Sequence, residues 1–105
     1  MIKHIVFWKI KENAEGLDGA AIRTELRKRL EALPALIPEI KAFQVGDNFS
    51  TRNTAMDMAL VSEFENREDL QRYQDHPRHR EVADFVKAVT EEGRVVDYAF
   101  EEGTA

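Results

Sequence analysis

The chain has no cysteine. That excludes a disulfide scaffold, a thiolate metal centre and a cysteine nucleophile. Glycine and proline are scarce as well, with five and three in 105 residues. No low-complexity stretch, linker or internal repeat is present. There is no basic excess: 15 Lys and Arg against 20 Asp and Glu leave a net charge of −5. A nucleic-acid partner is not expected, because phosphate affinity needs a basic surface. The longest unbroken apolar runs, Ile5 to Trp8 and Met58 to Val61, have four residues each. Neither a membrane span nor a signal-peptide core fits in that length. With no targeting segment visible, the cytoplasm is the default expectation.

What is there reads as one globular domain over residues 1–105. Apolar residues make up 43% and charged residues 33%, and a chain of this size buries roughly two-thirds of its unfolded surface. Residues 2–11 predict a strand. Ile2, His4, Val6, Trp8 and Ile10 fall on one side by the period of two, and Ile5 and Phe7 on the other. A polar loop with Gly16 follows. Asp18 is placed to cap a helix, with Leu17 and Ile22 spaced as a hydrophobic staple. Ile22, Leu26, Leu30 and Leu33 recur at helical spacing, and Pro34 and Pro38 end the pattern.

Residues 40–49 predict a second strand with an irregularity at Gly46, and 55–64 a third. In the third, Met56, Met58, Leu60 and Phe64 oppose Ala59 and Val61. Asn66 can cap a short helix through Leu70 and Tyr73. His76-Pro77 interrupts it. Proline suits a first helical position, so a new helix starts at Pro77 with His76 as its cap, carrying Val82, Ala83, Phe85, Val86 and Val89 and ending at Gly93. Residues 94–100 form the last strand, and the tail EEGTA is expected to fray.

The order is β-α-β-β-α-β, an α+β, ferredoxin-like arrangement: a four-stranded antiparallel sheet with helices on one face. Strands one and three are apolar on both sides, so both faces of the sheet should be covered. No segment is long enough to cover the second. The simplest solution is a homodimer whose sheets pack face to face, since an exposed apolar patch marks an association surface.

The chain shows no phosphate loop, dinucleotide fingerprint or His-Glu-x-x-His motif. Its densest polar cluster is YQDHPRH, residues 73–79, with two of the three histidines. At the third position of the new helix, His79 would be held neutral by the positive end of the dipole and be available as a base. Tyr73 could offer a hydroxyl. The plainer reading of the same spacing stays open: His76 caps a helix, His79 lies at the surface and Tyr73 fills the core. Asp75, His76 and His79 have no evident third and fourth metal ligand nearby, so no metal is expected. His4 either hydrogen-bonds within the core or points into a cavity. Trp8, Phe43, Phe64 and Phe85 could line an apolar pocket, although such aromatics equally fill a core. Asp97 is unusual in a strand and is expected to face solvent or an edge.

The opening MIKHIVFWKIK, the phrase LPALIPEIKAFQVGDN, the stretch MALVSEFENREDLQRYQDHPRHREVADFV and the ending RVVDYAF resemble the stress-responsive A/B barrel domain (Dabb) family over about residues 1–100. The resemblance implies a ferredoxin-like subunit and a dimeric α+β barrel. Some members are plant stress-associated proteins. One group, similar to olivetolic acid cyclase, comprises cofactor-independent polyketide cyclases that promote an intramolecular aldol condensation. Their catalytic tyrosine and histidine match Tyr73 and His79, and further histidines match His4 and His76. The resemblance thus implies Tyr73 and His79 as the acid/base pair, His4 and His76 as binding residues beside them, and no cofactor; from the residues themselves, Trp8 and Phe64 are added as walls of a small apolar pocket for a hydrophobic carbonyl compound. Two alternatives stand beside it: a non-enzymatic stress or interaction protein with a purely structural barrel, and a cofactor-free monooxygenase.

Overall fold

The computed structural model describes residues 1–101. Its elements in chain order are β1 (Ile2–Ile10), β2 (Asn13–Ala14), β3 (Leu17–Asp18), α1 (Gly19–Glu31), β4 (Ala42–Asp47), β5 (Met58–Phe64), α2 (Arg67–Asp75), α3 (Pro77–Val89) and β6 (Thr90–Ala99). A 3₁₀ turn at Leu33–Ala35 follows α1. Strands β4, β5, β1 and β6 form one antiparallel sheet in that spatial order. This is the expected ferredoxin-like α+β fold, with the first and third major strands central.

The alternation in β1 decides which side faces the helices. Ile2, His4, Trp8 and Ile10 are buried on one side, and Phe7 on the other side is exposed. In β5, Met58, Leu60, Ser62 and Phe64 are buried. Against them α1 lays Ile22, Leu26 and Leu30, with α2 adding Leu70 and Tyr73, and α3 Val82, Phe85 and Val89. Each fully buried aliphatic side chain contributes about 1.5–3 kcal/mol of transfer free energy. The Asp18 side chain caps α1 by accepting from the Ala21 amide at 2.8 Å. Asp57 ties β5 to the end of β1: its carboxylate accepts from the Ile10 amide at 2.7 Å, and its own amide donates to the Trp8 carbonyl at 2.8 Å.

Several boundaries differ from the sequence pattern, each for a local reason. The loop before α1 contains a small hairpin, in which Asn13 pairs with Asp18 and Ala14 with Leu17. Its two turn residues, Glu15 and Gly16, both have positive φ, 53° and 74°, as a primed turn requires. Leu33 leaves the α1 cylinder, because Pro34 forces the tighter turn. Strand β4 is shorter than expected, and its register runs through Gly46 without a shift. After it, the Asn48 side chain folds the chain into a turn with Ser50, and Phe49 is left 98% exposed. Helix α3 ends at Val89 rather than Gly93, and Thr90 already begins β6. Gly93 instead lies opposite Trp8, where an added Cβ would sit 3.5 Å from the indole. The β1–β6 register shifts between Lys9 and Ile10, which makes room for the earlier start. Residues 102–105 of the tail lie outside the described part.

The second sheet face carries Ile5, Phe7, Ala59, Val61, Val96 and Tyr98, and among the described residues no helix lies over it. Among the described residues no helix is long and apolar enough to cross a membrane. Leu26 has 0% exposure at the centre of α1, so Leu26→Ala should lower stability by about 2–5 kcal/mol through the cavity it leaves, as read from urea unfolding. A loss under 1 kcal/mol would mean that the α1–sheet interface is not close-packed.

Candidate functional site

The site grows from the break between α2 and α3. Asn66 caps α2 by accepting from the Asp69 amide at 2.8 Å, and the helix turns Leu70 and Tyr73 toward the sheet. His76 precedes proline and adopts an extended backbone, φ −64° and ψ 135°, as the Pro77 ring demands. Helix α3 then starts at Pro77. The His76 Nδ1 accepts from the Arg78 amide at 3.1 Å. Two residues past the proline, His79 returns toward Tyr73.

Tyr73 is only 1% exposed. Its ring is packed among four others, with centroids at 4.4 Å from His79, 5.0 Å from Phe64, 6.3 Å from Phe43 and 6.3 Å from His4. Burial raises the phenol well above its ordinary range, so at neutral pH the hydroxyl keeps its proton. The His79 Nδ1 lies 3.1 Å from the Gln74 carbonyl. A carbonyl only accepts, so Nδ1 carries the proton and Nε2 the lone pair. Burial lowers the His79 pKa, and His4 and His76 nearby push the same way, while the Gln74 carbonyl opposes them. The result is a neutral imidazole beside a protonated phenol.

His4 is buried in β1. The Ser62 hydroxyl donates to its carbonyl at 3.1 Å, and its Nδ1 hydrogen-bonds the Asp97 carboxylate across β1–β6. Asp97 does lie on an edge strand and its side chain is 40% exposed. Yet its carboxylate is engaged by His4 instead of facing only water. Beside this pair, α2 and β6 bound a cleft of about 400 Å³ whose lining includes Ile2, Leu70, Gln71, Gln74 and Asp97. Tyr73 and His79 are not part of that lining; Tyr73 is buried on the sheet-facing side of α2 and His79 is half-buried in the first turn of α3.

The structure therefore brings together Tyr73, His79, His4, Phe64 and Phe43. It does not bring Trp8 to them: that ring lies four residues along β1, roughly 13 Å away at strand spacing, against Gly93. Phe85 faces α1, where the Arg29 guanidinium stacks over it at 3.9 Å. His76 uses its Nδ1 as a helix cap. Asp75 pairs outward with Gln71 and Arg80. Among the described residues no three His, Asp or Glu side chains group to hold a metal ion. Asp97 and Gln74 were not assigned site roles from the sequence. Asp97 could have been found from the strand register, which sets it opposite His4. Gln74 acts through its backbone carbonyl, which no side-chain pattern signals.

The Stress responsive A/B Barrel Domain (Dabb) model matches residues 2–100, and the chain belongs to that family. A dimeric protein of unknown function and ferredoxin-like fold from Bacteroides fragilis superposes with a TM-score of 0.82 at 31% identity, covering 94% of this chain and 95% of that one. A hydroxynitrile lyase from Passiflora edulis has the same fold, with a TM-score of 0.79 at 23% identity over 99% and 96% of the two chains. In sequence, the uncharacterized protein SCO4036 of Streptomyces coelicolor is 29% identical over 80 residues, which is 76% of this chain and 80% of that protein.

The depressed His79 pKa has a consequence for stability. The unfolded chain binds this proton more readily than the folded one, so the contribution is present above the ordinary histidine value of 6.5 and is lost as pH falls through the lower folded value. NMR titration should place His79 below 6.5. His79→Asn should flatten the part of the acid stability profile that lies in that window. A His79 titrating at or above 6.5 would contradict the half-buried, neutral ring.

Proposed function

We propose that the protein is a homodimeric barrel that performs cofactor-independent acid–base chemistry on a hydrophobic carbonyl compound of polyketide type. The observation that carries this reading is the contact of Tyr73 and His79 at 4.4 Å, one a proton donor to oxygen and the other a proton acceptor. His79 Nε2 takes a proton from the carbon beside the carbonyl, and the Tyr73 hydroxyl hydrogen-bonds the oxygen as the enolate charge develops. The enolate carbon then attacks a second carbonyl of the same molecule, forming the carbon–carbon bond, and the new alkoxide takes up a proton. Phe64 and Phe43 supply apolar walls that favour a hydrocarbon substrate. Tyr73 is 1% exposed and is not part of the lining of the cleft beside Asp97, so access to its hydroxyl requires the packing around it to open.

A second copy covers the open face of Ile5, Phe7, Ala59, Val61, Val96 and Tyr98. An apolar face of that size on one chain calls for a partner, and the Bacteroides relative is dimeric. The alternative reading, a purely structural barrel, is favoured by one observation, the close packing of Tyr73 at 1% exposure.

Proton abstraction is separable from the full reaction. With a medium-chain methyl ketone in D₂O, the wild type should catalyse replacement of the α-protons by deuterium, followed by ¹H NMR. His79→Gln should slow this by about 10²–10⁴-fold, and Tyr73→Phe by about 10²–10³-fold. No exchange above background, with no change in the His79 signals on adding the ketone, would leave the structural barrel as the better reading. Sedimentation should show a dimer at micromolar concentration. Val61→Asp, which sets a charge in the middle of the open face, should give a folded monomer; a wild-type monomer would remove the proposed interface.

A further inference from the structure

Three backbone groups at the α2–α3 junction would be ordinary ladder partners in a continuous helix. There the Tyr73 carbonyl would accept from residue 77 and the Gln74 carbonyl from Arg78. Pro77 has no amide hydrogen, so the first bond cannot form. The His76 amide takes the Tyr73 carbonyl instead, at 3.2 Å. The second bond is absent because the extended His76 backbone, which Pro77 demands, carries the Arg78 amide out of the α2 ladder. That amide donates instead to the His76 Nδ1 at 3.1 Å. The break leaves the Gln74 carbonyl without a ladder donor, and the group that occupies it is the His79 Nδ1–H at 3.1 Å.

The chemistry of the partners fixes both rings. An amide only donates, so His76 Nδ1 must be a lone pair and its proton sits on Nε2. A carbonyl only accepts, so His79 holds its proton on Nδ1 and its lone pair on Nε2. Two histidines three residues apart are held in opposite tautomers by one helix break.

We infer that His76 is a positioning residue. By capping the Arg78 amide it fixes the first turn of α3, and so holds the His79 ring where its Nδ1–H meets the Gln74 carbonyl and its Nε2 is left to accept a proton. The relevance of this to catalysis rests on the acid–base reading above; the tautomer itself does not. His76 has no need to touch a substrate. Its place immediately before Pro77 makes it the N-cap of α3, two residues ahead of the amide it holds and three ahead of His79.

The test is a long-range ¹H–¹⁵N correlation of the imidazole nitrogens, recorded on the intact protein well above the histidine titration range. The wild type should show His79 protonated on Nδ1 and His76 on Nε2. His76→Ala removes the acceptor, and the His79 Nδ1–H to Nε2–H ratio should drop about fivefold, the worth of one ordinary hydrogen bond. His76→Asn restores a good cap and should restore the ratio. Pro77→Ala allows the ladder to close again and should shift the ratio in the same direction as His76→Ala, so the idea stays testable if His76→Ala does not fold. On active variants the ketone exchange rate at saturation should follow the ratio, with KM unchanged. A wild-type His79 protonated on Nε2, or a ratio unmoved by whichever of His76→Ala and Pro77→Ala fold, overturns the inference. Absence of ketone exchange in a wild type with the stated tautomers would instead overturn the proposed reaction alone.

Discussion

Pro77 cannot donate a backbone hydrogen bond, and the arrangement of the site depends on that missing hydrogen. The ladder that begins at Arg67 stops at Asp75, the His76 backbone extends, and α3 sets off anew. Tyr73 on one side of the break and His79 on the other then face each other across 4.4 Å. In an unbroken helix, residues six apart lie on widely separated faces, so the two rings could not share a single environment. The break brings them together without a long loop, and the two histidine–backbone bonds satisfy groups that would otherwise be left as orphans.

The sheet supplies the other half. Strand β1 is central, so a residue on its helix-facing side is flanked by neighbours from β5 and β6 and covered by helices. His4 occupies such a position, with Ser62 and Asp97 as its cross-strand neighbours. A polar ring in that place is tolerated because its Nδ1 meets a carboxylate and the backbone carbonyl beside it meets a hydroxyl. The same strand turns Ile5 and Phe7 to the opposite side. One short segment thus contributes both to the polar cluster and to the uncovered apolar face.

Most of the fold was legible because its signals are local or periodic. The alternation of β1, the stripe of Ile22, Leu26 and Leu30, and the caps Asp18, Asn66 and His76 each announce themselves within a few residues. The misplacements arose where a tertiary neighbour decided the outcome. Gly93 reads as a helix stop, but it lies within β6, paired opposite Trp8 on the adjacent strand. Phe49 extends an apolar pattern, but the Asn48–Ser50 turn carries it outward. In the site, Tyr73, His79, His4 and Phe64 were visible as residue types and do converge. Trp8 shares the face of His4 yet lies too far along the strand. Asp97 and the Gln74 carbonyl needed a register and a helix break, neither of which a single residue type encodes.

The pairing across β1 and β6 spans two environments. The His4 side chain is 6% exposed while that of Asp97 is 40% exposed, so the interior ring is joined to water through one carboxylate on an edge strand. A change made at this exposed edge position therefore reaches the interior: without the Asp97 carboxylate, the His4 ring nitrogen would be left without its partner beside the Tyr73 ring.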